Sequence, residues 1–141
     1  MPEKETLERA EKDKRQGKAP STQAGEFIRE EFHHVREGKH GVRNTKQAIA
    51  IGLSKARRAG VKLPTRNSQD AREEARGRTG KPTSPRRARA VRGALKQEGR
   101  SGGSRRAASR QARAAARRRS SSQRSQAARR AAATRRRTRS R

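Results

Sequence analysis

The chain has 141 residues, with 41 Lys+Arg against 13 Asp+Glu, a formal charge of +28. That is about one net positive charge every five residues, which opposes compaction. Only 26 % of the residues are hydrophobic; 23 of these are Ala, leaving 14 larger ones, ten of them between Phe27 and Leu63. A core that small excludes a fold that spans the whole chain and leaves room for extensive intrinsically disordered basic segments. Without cysteine there is no disulfide framework, thiol nucleophile or cysteine-ligated zinc. No run of about 18 apolar residues exists, and the charged N-terminus MPEKETLERAEKDKR has no signal-peptide core. A cytoplasmic protein with a polyanionic partner is the expectation, with no membrane association.

Residues 1–20 pair Glu5/Arg9, Glu8/Lys12 and Glu11/Arg15 at helical spacing, with Gly17 as a stop and only Leu7 and Ala10 available for burial. They read as a frayed, solvated helix or arm. In residues 21–64, Ala24, Phe27, Ile28, Phe32 and Val35 make one apolar helical stripe, with Glu26, Arg29, Glu30, His33, Arg36 and Glu37 facing away. Gly38 and Gly41 break this helix, and Asn44 with Gln47 is placed as a capping pair for the next. There Ala48, Ile49, Gly52, Leu53, Ala56 and Ala59 share a face, closed by Gly60, Val61 and Pro64. Gly52 inside the stripe predicts that another helix approaches closely at that point. The fold class is therefore mostly α: a small αα-hairpin with basic segments outside it. Ile51, off the main stripe, suggests a homodimer through residues 21–64.

Residues 65–84 read as a linker. Ser84 and Pro85 open a short basic helix over 85–98, with Ala88, Val91 and Leu95 as its narrow stripe. From Gly99 to Arg141 there are 16 Arg, no Lys and no acid. This low-complexity tail is expected to be coil when free, with SRRAASRQARAAARRR able to become helical once phosphates cancel its self-repulsion. Residues 1–69 carry a net charge of +7 and residues 70–141 carry +21.

Arginine suits phosphate: it is always charged, presents a bidentate fork, and is drawn into narrow minor grooves. The residues expected to contact phosphates are Arg105, Arg106, Arg110, Arg113, Arg117, Arg118, Arg119, Arg129, Arg130, Arg135, Arg136 and Arg137. Arg86 and Arg87, in an SPRR tetrad, are secondary candidates, and Lys55, Arg57, Arg58 and Lys62 cluster at the end of the second hairpin helix. With no Trp or Tyr, and with Phe27 and Phe32 both on the core stripe, no base-stacking platform exists. Duplex DNA is accordingly the expected partner and RNA the alternative. His33, His34 and His40 lie among Glu30, Glu31 and Glu37, and Glu30/His34 has chelating i,i+4 spacing. They read as exposed polar residues, because no third ligand is fixed, so no cofactor or metal is assigned. No catalytic constellation is present, and no enzymatic activity is expected.

The stretch STQAGEFIREEFHHVREGKHGVRNTKQAIAIGLSKARRAGVKLP, and above all REGKHGVRNTKQAIAIGLSKARRAGVKLP, resembles a family of small basic bacterial proteins of unknown function often labelled DNA-binding or plasmid stabilization proteins. The tail looks like those of bacterial histone H1-like proteins and protamines. The resemblance implies a nucleoid or plasmid association and brings no catalytic residues; the arginine-rich charge pattern adds the expectation of a histone-like protein that binds phosphates without sequence preference and compacts DNA. A protein adaptor, anchored to nucleic acid by its tail, is the remaining reading.

Overall fold

The computed structural model describes residues 1–64 and 84–139; the linker expected over 65–84 falls outside them except at Ser84. The chain is mostly α. Six α-helices and no strand occur among the described residues: α1 (Lys4–Arg15), α2 (Pro20–Glu37), α3 (Thr45–Arg58), α4 (Pro85–Gln97), α5 (Arg105–Arg117) and α6 (Ser121–Arg139), with a 3₁₀ turn at Ser101–Gly103.

The antiparallel pair α2/α3 forms as its apolar period requires. Pro20 opens α2 at a position that needs no N–H donor, and Gly38 ends it in the left-handed region at φ 79°. The Asn44 side chain accepts from the Gln47 N–H at 2.9 Å. Gln47 Oε1 in turn accepts from the Arg43 N–H at 2.8 Å, one residue before the cap. At the crossing, a Cβ on Gly52 would lie 2.7 Å from Ile28 Cα and 2.9 Å from its N. The close approach anticipated from Gly52 is therefore between α3 and the backbone of α2.

Two small cores result. Ala10, Ala24, Phe27, Ala56 and Val61 form one, flanked by Leu53 and Leu63. Phe32, Val35, Val42 and Ala48 form the other, flanked by Ile28, Ile49, Ile51 and Ala108. Ile51 thus packs against its own chain's core. Ala10 belongs to α1, so the folded body is a three-helix unit rather than a hairpin with a frayed arm. Leu7 stays 40 % exposed, and the docked face of α1 is Thr6, Ala10 and Asp13. Polar ties hold it: Arg9 Nε to Glu26 Oε2 at 2.8 Å, Lys18 Nζ to Asp13 Oδ1 at 2.6 Å, and the Glu3 N–H to Glu30 Oε2 at 3.1 Å.

The body also continues past Gly99, where the sequence places the start of the tail. The Gly41 N–H donates to Leu95 O and the Val42 N–H to Gly99 O, both at 2.8 Å. Thr45 Oγ1 donates to Gly102 O at 2.8 Å, and Gly102 and Gly103 are buried. A Cβ on Gly41 would run into the Glu98 carbonyl, and one on Gly103 into the Val35 side chain. Glycine at these positions lets two backbones touch, and it carries no hydrophobic period that would announce the contact. Beyond it, residues expected as free coil are helical, because Ala and Arg are strong helix formers and the Ser104 side chain caps α5 by accepting from the Ala107 N–H at 3.2 Å.

Candidate nucleic-acid interface

The arginines of α5 lie on one side. Arg106, Arg110, Arg113 and Arg117 are spaced i, i+4, i+7 and i+11, within a sector of about 60°. The opposite face meets the body: Ala107 is buried and Ala108 and Gln111 are half-buried. Because small residues fill the docked face, all five α5 arginines, including Arg105, are exposed, and the stripe runs for about 17 Å along the outer side.

Helix α6 is different. Arg124, Arg129, Arg130, Arg135, Arg136, Arg137 and Arg139 surround it, and every side chain described on it except Thr134 is exposed. A helix that is polar on all sides has no face to bury and gains nothing from packing on the body. Arg118 and Arg119, exposed between α5 and α6, continue the run.

The first turns oppose what helix stability alone favours. Arg105 and Arg106 open α5, Arg86 and Arg87 open α4, and neither first turn contains an acid. Cations at a helix N-terminus face the positive end of the dipole, so the two termini concentrate positive charge. Arg86 and Arg87 are exposed, as is the rest of α4's outer side, and Val91 of its expected stripe remains 58 % exposed.

The hairpin candidates divide. Lys55 is held inside, with Nζ 2.8 Å from Glu31 Oε2 and 3.2 Å from Glu30 Oε1; its charge is committed to the body and it leaves the phosphate set. Arg57 is half-buried, whereas Arg58 and Lys62 are exposed. Sequence reasoning missed Lys46. It lines a cleft of about 430 Å³ together with Asn44, Thr45, Ala107, Arg110, Gln111 and Ala114, so α3 and α5 bring cations from 64 residues apart to one opening. Only the docking of α5 creates that juxtaposition, and no local pattern announces it.

His33 is exposed, as the sequence suggests, but the other two histidines are not. His34 is buried and His40 half-buried, and of the acids around them Glu30 and Glu31 are buried. His34 Nε2 lies 2.8 Å from Glu3 Oε1 and Lys39 Nζ 3.0 Å from the same oxygen. These two partners hold the Glu3 carboxyl at about 2, below its ordinary 4.5. Burial pushes the Glu30 carboxyl up, but hydrogen bonds from Thr6, the Glu3 N–H and Lys55 outweigh it, and the net direction is downward. The cluster ties the start of α1 to α2 and α2 to α3.

No curated protein and no solved structure matches the chain. Residues 4–67, which take in α1, α2 and α3, match a family of unknown function, DUF6496, while α4, α5 and α6 lie outside the matched span.

Proposed function

We propose that this is a non-enzymatic protein that binds nucleic acid through the phosphate backbone without sequence preference and compacts duplex DNA, as a histone-like component of the nucleoid. The observation that carries the reading is the arginine arrangement on α5 and α6. Residues 105–139 hold 14 Arg and no acid, 12 of them on two helices, one anchored by its alanine face and the other exposed at every described residue except Thr134. Each phosphate neutralised releases condensed counterions, so such a surface binds tightly, with a steep salt dependence and no base contact. Phe27 and Phe32 are 1 % and 8 % exposed, which removes the aromatic platforms that single-strand readers use and favours a duplex. The three-helix body serves as the platform.

The test is a salt titration of binding to duplex DNA and to structured RNA, for the full chain and for a chain ending at Ser120. The cut belongs there and not at Gly99, because residues 99–108 are part of the fold. It removes eight arginines; with half of them on phosphates, the log–log salt slope becomes shallower by about 3 to 4. An unchanged slope refutes the proposal, and a clear preference for RNA moves the function to ribosomal or other structured RNA.

A further inference from the structure

Buried beneath the α2–α3 turn is a group of side chains that phosphate binding leaves unexplained. Glu31 and His34 are on α2 and His40 is in the loop that follows; each offers a ligand atom, and the three atoms lie within 4.8 Å of one another. Glu31 is wholly buried, yet neither of its carboxylate oxygens accepts an aligned hydrogen bond. Lys55 Nζ at 2.8 Å and His40 Nε2 at 3.0 Å stand beside these oxygens but off the hydrogen-bonding direction. A buried carboxylate in this state carries a desolvation cost that directed bonds normally offset.

His40 sharpens the point. Its Nδ1 lies 3.0 Å from the Gly41 carbonyl oxygen, an acceptor only, so a neutral imidazole donates there and its lone pair is on Nε2. That lone pair faces Glu31 Oε1, a second acceptor. A separation of 3.0 Å between them matches the bite of two ligands bound to one ion at about 2.0–2.2 Å. His34 is oriented by Glu3 Oε1 at its Nε2, the carboxylate–histidine pairing that fixes rings around metals. The linked ionic groups are Glu3, Glu30, Glu31 and Glu37 against Lys39 and Lys55. With neutral imidazoles that network is two negative charges in excess, the charge of one divalent cation.

We infer that Glu31, His34 and His40 form a binding site for a divalent transition-metal ion of the zinc class, which clasps the loop after α2 onto the helix. Two imidazoles and one carboxylate are the donor set of zinc, cobalt or nickel rather than of magnesium or calcium. The ion binds Glu31 Oε1 and leaves Oε2 to Lys55. The site also bears on the placement of α5, because the clasped loop carries Gly41 and Val42, whose N–H groups hold Leu95 and Gly99.

The full chain, stripped with chelator, is titrated with Zn²⁺ by calorimetry and with Co²⁺ by visible absorption. One ion per chain, visible Co²⁺ d–d bands and a rise in Tm on adding Zn²⁺ are expected. His40→Ala, checked for retained helicity by circular dichroism, weakens binding at least tenfold. His33→Ala leaves it unchanged, since His33 is exposed and outside the trio. Binding that survives His40→Ala, or that is lost with His33→Ala, overturns the site. So does a wild-type chain with no Co²⁺ bands and no Zn²⁺ heat, which makes His40 an imidazolium paired with Glu31.

Discussion

Substituting Gly41→Ala tests whether residues 95–108 are part of the folded body. The added methyl runs into the carbonyl of Glu98 and would lie 2.9 Å from Gly99 O. Both are backbone atoms, so no side-chain rotation relieves the overlap, and the segment from Leu95 to Gly99 must move away. Two hydrogen bonds go with it, Gly41 N–H to Leu95 O and Val42 N–H to Gly99 O, together worth about 1–3 kcal/mol. Partial exposure of Val42, 1 % exposed in the fold, brings the loss to about 2–4 kcal/mol. The Phe27 core contains no residue from this segment and should survive, so the substitution undocks α4 and α5 without melting α1–α3. Amide hydrogen exchange reads this directly: protection of the Gly41 and Val42 amides falls by about 30-fold or more, 1.4 kcal/mol being tenfold. Gly93→Ala is the control, because a Cβ there meets nothing within 4 Å and strengthens the helix by about 1 kcal/mol. If Gly41→Ala leaves both amides as protected as in the wild type, the docking of residues 95–108 is wrong.

Two further outcomes follow from the body. Gly52→Ala places a methyl against the Ile28 backbone; overpacking of about 1–3 kcal/mol exceeds the roughly 1 kcal/mol gained in helix propensity, so thermal melts followed by far-UV circular dichroism should show a lower Tm. The Glu3 carboxyl, lowered from 4.5 to about 2, stabilises the fold fully above pH 4.5 and loses that contribution as pH falls from 4.5 towards 2. Stability measured across that range in wild type and Glu3→Gln should therefore converge at the acid end and separate above it, and parallel curves would dismiss the Glu3–His34–Lys39 link.

The apolar period announced α2 and α3, because burial on one side of a helix leaves a mark every three or four residues. Asn44 as a cap and Gly52 as a close-contact point were legible for the same reason: each meets a local requirement that few residue types satisfy. Helix α1 was not legible as part of the body. Its docked face is Thr6, Ala10 and Asp13, held by ion pairs to Glu26 and Lys18, and a search for apolar stripes passes over it. Glu30 and Glu31 look like exposed partners of neighbouring cations; their burial depends on Lys55, 24 residues beyond Glu31, crossing from α3. The tail candidates were legible as arginines but not as surfaces. That α5 is anchored through alanine while α6 buries nothing follows from Gly41, Gly102 and Gly103, which signal contact only once the partner backbone is in place.

Acid placement explains how a chain of +28 folds at all. Of the nine acids in residues 1–64, every one except Glu11 sits in an ion pair within the body. A core with few large apolar side chains is thus held by paired charges, several of them buried, where loss of one partner is costly. The same placement leaves α5 and α6 with no acidic residue of their own, since Glu98, 3.6 Å from Arg43, is the last acid in the chain. Negative charge is used for folding in the first half, and the second half carries positive charge in excess. Under the proposed function the two roles are separable: neutralising arginines on α6 weakens attraction to a polyanion with little effect on the body, while neutralising Glu30 and Glu31 together leaves the half-buried Lys55 without its two partners and weakens the body that positions α5.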